Sequence, residues 1–304
     1  MRRVTVVVPF YNRSADVEPC LAALAAQMVP RDLKWDVVAV DNKSTDGTLE
    51  KLLAEAERLA QRLDVHVIEA AERGPAAARN AGIHAAEGDW IALMDSDCRP
   101  APDWLAQLVE PLAREEVLVT GGRIDALSEE HGAARYAQEA GILDQEFFLG
   151  GGTGFPPFLA TANAAFRRET WNRAGGFNAS LTVGEDADFC WRVLELGGQL
   201  VYRPTAVVRH RHRETFRGLY RWGLTYGEGT ARLMALHAAR LGSRVDIAWS
   251  YYPALASGPV RLLWAMLFEF DDYGRRRPLY DMVYRTGLLL GRWRGSLRHG
   301  VWCL

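Results

Sequence analysis

The run Val4-Thr5-Val6-Val7-Val8, closed by Pro9, decides the fold. Five β-branched residues in a row suit a strand buried on both faces, as in the middle of a parallel sheet. A helix pattern follows from about Ser14 to Gln27, and the alternation then repeats. Trp35–Val40 predicts a second strand, the turn Asp41–Gly47 opens a helix reaching about Leu63, and Val65–Glu69 predicts a third strand. Ala76–Ala86 reads as helix, and Trp90–Met94 as a fourth strand that runs straight into Asp95. Such alternation predicts an α/β domain with a doubly wound, mostly parallel sheet flanked by helices.

Further along, Asp103–Arg114 reads as helix, and the pattern then loosens through Val117–Ile124 and the glycine-rich stretch Gly150–Gly154. Helix returns at Glu185–Leu196, and the basic, strand-like run Leu200–Val208 leads to His210. From Thr215 the text is helical and rich in Trp, Tyr and Arg. The expected division is therefore a ligand-binding domain over residues 1–214 and a helical, basic and aromatic extension over 215–304.

With 49% hydrophobic and 24% charged residues, the chain is neither disordered nor fibrous. Its net charge of −2 conceals two opposite halves. Residues 1–200 carry 19 basic and 31 acidic groups, residues 201–304 carry 17 and 7. A basic tail on an acidic body suits lipid headgroups or phosphates, or docking of the tail on the body itself. Cys20, Cys98, Cys190 and Cys303 form no C-x-x-C pair and read as reduced thiols. The N-terminus reads as a first strand rather than a signal peptide, and no run of about 18 apolar residues predicts a membrane span. A cytoplasmic protein, peripheral on the inner face of the membrane, is the expectation.

In open α/β sheets ligands bind beyond the carboxyl ends of the strands. Tyr11, Asn12, Asp41 and Asp95-Ser96-Asp97 all fall there. Two carboxylates one residue apart, at the end of a buried strand, can present oxygens to Mg²⁺ or Mn²⁺, which complete their shell with substrate phosphates. Glu185-Asp186, with Asp188 nearby, open a helix after Gly184 and offer a general base. His210 lies in Arg209-His210-Arg211-His212-Arg213, a cluster able to complete a metal site or to stabilise a leaving diphosphate. The Asp41 carboxylate can accept a hydrogen bond from a base or ribose. Arg79, within Gly74–Gly82, offers a base or phosphate contact, while the small residues around it permit close helix–sheet packing.

Taken in order, these pieces resemble the family 2 glycosyltransferases. The matching text is Val7-Val8-Pro9-Phe10-Tyr11-Asn12-Arg13, Val40–Thr48, Ala78-Arg79-Asn80-Ala81-Gly82 and Gly88–Asp97. Asn163–Arg168, Gly175-Gly176-Phe177 and Gly184–Asp188 follow, and the match spans roughly residues 4–213. The resemblance implies a GT-A fold and an inverting transfer from a nucleoside diphosphate sugar, with UDP ahead of GDP and dTDP. It implies a nucleotide site formed by Pro9, Tyr11, Asn12, Arg13, Asp41, Arg79, Asp95 and Ser96. It implies metal ligation by Asp97, Asp95 and His210, and Asp186 as base supported by Glu185. Asn42 stands where many members have Asp. Gly218-Leu219-Tyr220-Arg221-Trp222 keeps only the Arg-Trp of the Gln-x-x-Arg-Trp motif of processive synthases, which points to addition of one sugar or a few.

The acceptor would be a glycan or a lipid-linked molecule in cell-surface glycan or glycolipid synthesis, and nucleic acid is not an expected partner. Arg261–Phe270 and Tyr280–Trp293 have apolar faces with cationic flanks, suited to an inner membrane surface or to covering an acceptor site. Three other readings compete. A nucleotidyltransferase would need a glycine-rich phosphate loop after strand one, which Pro9–Arg13 does not supply, and a nicotinamide dehydrogenase fails for the same reason. A sugar-nucleotide-binding module without catalysis would have no use for Asp97, Asp186 and His210 together.

Overall fold

A computed structural model describes residues 3–151, 155–242, 245–247 and 249–304. The end of the glycine-rich stretch, residues 152–154, lies outside the described residues. The strands are β1 (Arg3–Phe10), β2 (Lys34–Asp41), β3 (Val65–Glu69), β4 (Trp90–Met94), β5 (Cys98–Pro100), β6 (Val117–Ala126), β7 (Asn163–Arg167), β8 (Gln199–His210), β9 (Val245–Asp246) and β10 (Trp302–Cys303). The helices begin with α1 (Val17–Ala25), α2 (Thr48–Leu59), α3 (Pro75–Ala85), α4 (Trp104–Val109), α5 (Gly132–Glu139), α6 (Gln145–Leu149), α7 (Arg168–Ala174) and α8 (Glu185–Leu194). They continue with α9 (Phe216–Leu236), α10 (Ala238–Leu241), α11 (Tyr251–Ala256), α12 (Gly258–Phe268) and α13 (Asp272–His299).

The chain forms two compact units, residues 1–127 with 143–210, and residues 128–142 with 211–304. The first holds an eight-stranded sheet in the order β3-β2-β1-β4-β7-β6-β8-β5. The pairs β3–β2, β2–β1, β1–β4 and β6–β8 are parallel, whereas β7 runs antiparallel to β4 and β6, and β5 antiparallel to β8. This is the expected α/β architecture, a mostly parallel sheet flanked by helices with a helical region after it. β1 earns its central place: Val4, Val6, Val7 and Val8 are fully buried. Helix α3 lies so close to it that a Cβ on Gly82 would sit 2.4 Å from Val7 Cγ1, so the small residues there serve packing.

The short β5, β9 and β10 carry no strand signal in the sequence, and two longer strands, β6 and β7, are masked in it. β6 carries Gly121-Gly122, which weakens its strand signal. A Cβ on Gly122 would lie 2.0 Å from the Ala206 carbonyl oxygen, so the close approach of the backbone demands glycine. β7 begins at the fully buried Asn163. Its amide donates to the Arg123 and Ala206 carbonyls at 2.9 Å each and accepts from Trp104 Nε1 at 2.8 Å. The helix expected over Asp103–Arg114 runs only to Val109 and tightens into a 3₁₀ turn at Glu110–Ala113, where Pro111 removes a donor. All four cysteines are free and buried.

The second unit is organised around α9 and α13. A Cβ on Gly227 would fall 2.1 Å from the Leu288 carbonyl oxygen, and one on Gly291 would fall 2.1 Å from that of Leu224. Gly223, Gly287 and Gly295 face the opposite helix in the same manner. The two helices therefore pack backbone on backbone along a glycine seam, in the way that small residues spaced by four allow. Beside it, Tyr136 of α5 packs with Leu219 and Tyr280, and its hydroxyl donates to Asp281 at 2.9 Å. Among the described residues no helix is long and apolar enough to cross a membrane.

Candidate active site

The strand order reverses direction at β1, whose neighbours are β2 and β4, and a crevice opens at such a switch point. The ends of β1, β2 and β4 deliver Tyr11-Asn12-Arg13, Asp41 and Asp95-Ser96-Asp97 to it.

The β1 and β2 ends are laced together. Asn12 takes φ +50, within the left-handed region that Asn tolerates. Its N–H donates to Ser44 Oγ at 3.0 Å, and its Oδ1 accepts from the Thr45 N–H at 2.8 Å. The Arg13 N–H donates to Thr48 Oγ1 at 2.9 Å, and the Ser14 N–H to Asp46 at 3.0 Å. Asp41 is held differently. One carboxylate oxygen accepts from the Ser44 N–H at 3.1 Å, while Oδ1 is buried with no partner. The neighbouring Asn42 donates from Nδ2 to the Gly74 carbonyl at 3.1 Å, and its Oδ1 is likewise buried without a partner. Buried acceptors left unmet cost free energy, and such groups wait for a donor. Tyr11 stands exposed, with the Arg73 guanidinium 4.5 Å over its ring. Arg73 carries no motif and is invisible in the sequence.

The acidic triplet is fixed by the strand that follows it. The Cys98 N–H returns to the Asp95 carbonyl at 3.0 Å, and β5 then pairs with the end of β8, with Cys98 opposite His210. That register places Asp97 beside His210, with Oδ1 3.4 Å from Nε2. One ligand atom from each of Asp95, Asp97 and His210 lies within 4.8 Å of the others. Two carboxylates and an imidazole suit a hard divalent cation such as Mn²⁺ or Mg²⁺, so the residues fit the metal the resemblance implies. Burial and the charges of Asp97 and Asp95 hold the Cys98 thiol well above its ordinary pKa, so it is a neutral thiol.

Arginines hold both carboxylates. Arg13 Nη2 donates to Asp97 Oδ2 at 2.9 Å. The buried Arg79 donates from Nη2 to Asp95 Oδ1 and from Nη1 to Glu185 Oε1, both at 2.6 Å, and its Nε has no partner. Arg79 thus ties the acidic triplet to the start of α8, a link across 106 residues of sequence.

Helix α8 starts after Gly184 at φ +83, a left-handed turn that puts Glu185 and Asp186 in the first helical turn. A helix N-terminus favours carboxylate charge, and the Ala187 N–H donates to Asp186 Oδ1 at 2.8 Å. Burial, then the neighbouring Glu185 charge, outweigh this and push Asp186 up to about 7. Asp188, by contrast, pairs with Arg192 at 2.6 Å, and Arg192 in turn donates to the Gly176 carbonyl. Asn80 clamps Phe177 by two backbone hydrogen bonds of 2.8 and 2.9 Å. The Arg79-Asn80 pair therefore divides its labour, one facing the acidic groups and one holding the loop before α8.

The model of the family described as glycosyl transferase family 2 matches residues 5–175. The pre-mycofactocin glycosyltransferase of Mycobacterium tuberculosis is 29% identical over 301 residues, covering 96% of this chain. The chain spans 58% of that relative's length. Glycosyltransferase AglE of Haloferax volcanii is 28% identical over 212 residues, covering 69% of this chain and 67% of its own. Among solved structures, the mannosyltransferase PcManGT from Pyrobaculum calidifontis, in complex with GDP-Man and Mn²⁺, superimposes with a TM-score of 0.67 at 23% identity. That match covers 98% of this chain and 88% of the neighbour, and the likeness is one of fold. With its ordered strand-end motifs and more than half its length matched, the chain belongs to glycosyl transferase family 2.

Proposed function

We propose that the protein is an inverting, non-processive glycosyltransferase that moves a sugar from a nucleoside diphosphate sugar to an acceptor hydroxyl. The observation that carries this reading is the convergence of Asp95, Asp97 and His210 at one point, linked by Arg79 to Glu185, the neighbour of Asp186. One group suits a divalent cation, and the other suits a base.

In this reading Pro9, Tyr11, Asn12, Arg13, Asp41, Arg79, Asp95 and Ser96 form the nucleotide site. The unpartnered Asp41 Oδ1 accepts a hydrogen bond from the base or a ribose hydroxyl. Asp95, Asp97 and His210 would hold Mg²⁺ or Mn²⁺, which when bound neutralises the diphosphate and stabilises the charge it gains on leaving. Arg13 and Arg79 keep the two carboxylates in place, and in doing so limit their mutual repulsion.

Asp186 takes the proton of the acceptor hydroxyl. The acceptor oxygen then bonds to the anomeric carbon from the face opposite the diphosphate, and the carbon–oxygen bond to the diphosphate breaks with its electron pair. A carboxylate poised near 7 is well matched to this proton transfer. Glu185, held by Arg79, fixes the start of the helix that presents Asp186. UDP is the favoured nucleotide, and the neighbour solved in complex with GDP-Man and Mn²⁺ keeps GDP in view. A glycan or lipid-linked acceptor at the inner face of a membrane, approached through the C-terminal helices, belongs to the same reading.

The test is Asp186→Asn, assayed with a panel of nucleotide sugars in Mn²⁺ and in Mg²⁺. Transfer should fall about 10²–10⁴-fold, while the nucleotide still raises the melting temperature. Unchanged turnover would remove Asp186 as the base.

A further inference from the structure

We propose that α12 is an in-plane membrane helix, embedded lengthwise in the interfacial layer of an anionic phospholipid bilayer. This deepens the membrane part of the proposed function and rests on it.

From Ile247 to Phe268 the sequence has a single charged residue, Arg261. Its half-exposed guanidinium bends back onto the unit, donating to Asp281 at 2.8 Å and to the Ala254 carbonyl at 2.7 Å. Asp281 also accepts from Arg285 and from the Tyr136 hydroxyl, so Arg261 is tied into a polar network of the unit itself. α12 rests on α13 along one narrow stripe. Gly258 meets the Met282 side chain, Arg261 meets Asp281, and Ala265 is buried.

Outside that stripe the helix is apolar and, apart from the half-buried Leu262, exposed. Val260, Leu263, Trp264, Met266 and Leu267 are each 57–69% exposed, Phe268 is similar, and Phe270 just beyond the helix is 96% exposed. A soluble surface seldom carries so large a contiguous apolar patch. A groove on a protein partner would ask for one apolar stripe of a helix. Here all sides except the anchoring stripe are apolar, as a surrounding apolar medium requires. The helix has 11 residues, too few to span a bilayer, but the mixture of Trp, Phe and Leu suits the boundary between headgroups and acyl chains.

Charge selects the lipid. Residues 211–304 carry 15 arginines, no lysine and 7 carboxylates, a surplus complementary to anionic headgroups. Arg275 and Arg276, exposed at the start of α13, lie just beyond the apolar ridge.

The experiment is flotation of the full-length protein with vesicles of equimolar phosphatidylglycerol and phosphatidylcholine, and with phosphatidylcholine alone. The protein should float with the mixed vesicles and more weakly with the neutral ones. Leu263→Glu with Leu267→Glu, both at exposed sites, should lower partitioning at least about tenfold per position. Leu53→Glu, on the exposed face of α2, should float like the parent. A parent protein that stays at the bottom of the gradient, or a double variant that floats with it, overturns the proposal. So does a lipid-independent dimer that the double variant dissolves, which would assign the face to a second copy. Thermal shift by UDP or GDP with Mn²⁺ is read on the same samples. Its absence counts against the proposed reaction, whereas absent flotation counts against the membrane helix alone.

Discussion

The two units differ in what joins their main elements. The strand-bearing unit buries charge, and places Arg79, Asp97, Glu185 and His210 where its strands and α8 meet. The helical unit also buries Asp281 and Arg292, but its two long helices, α9 and α13, meet over bare backbone at Gly223, Gly227, Gly287, Gly291 and Gly295. Buried charges stay only because each has a partner, and partial satisfaction leaves atoms such as Asp41 Oδ1 and Arg79 Nε ready for a ligand. Buried glycines leave nothing over. The first arrangement trades cohesion for chemistry, whereas the glycine seam serves cohesion, and in the same unit α12 turns apolar side chains outward.

The sharpest way to break this contrast is Arg79→Met. It strands Asp95 and Glu185 without their shared cation, and should cost about 3–5 kcal/mol in the denaturation midpoint of the strand-bearing unit. A methionine variant of parental stability would mean that the bridge is not what permits those carboxylates to stay. Next in size is Gly291→Ala, whose added methyl meets the Leu224 carbonyl oxygen. Overpacking against backbone should cost about 1–3 kcal/mol, seen as an earlier urea transition of the helical unit. An unchanged midpoint would place the helices farther apart.

The smallest effect sharpens the chemical side. With Asp186 pushed up to about 7, kcat/KM should fall about tenfold for each pH unit below that value, because the protonated base cannot accept a proton. A profile flat down to pH 5 would exclude the raised carboxylate. The linked stability runs the other way. The contribution of neutral Asp186 is complete below about 4, the ordinary aspartate range, and is lost as pH rises through about 7.

Much of the strand-bearing unit was legible because apolar runs and strand-end polar residues obey local rules. β1 to β4 could be read to within a few residues, and so could the position of Asp95-Ser96-Asp97. β6 and β7 could not, because Gly121-Gly122 and the buried Asn163 look like loop chemistry until the opposing strands supply their reasons. At the site, motif order named the right neighbourhood but not the ion pairs. Nothing local says that Arg79 reaches Glu185, or that Arg73 stacks on Tyr11. Asp188 looked equivalent to its neighbours, and the structure commits it to Arg192. The glycine seam did leave a signal, two series spaced by four residues, Gly223 to Gly227 and Gly287 to Gly295. Aromatic and basic residues masked it.

The seam also dictates how the tail can be studied. Its two faces come from opposite ends of the helical unit, so a truncated protein that ends after α9 would keep Gly223 and Gly227 with no helix against them. That leaves a glycine-rich helix with exposed peptide groups and poor intrinsic propensity, prone to melt or to pair with a stray copy. Deletion of the tail would therefore report a damaged scaffold, whatever the deleted residues touch. Point changes on its outer surface keep the scaffold and ask the narrower question.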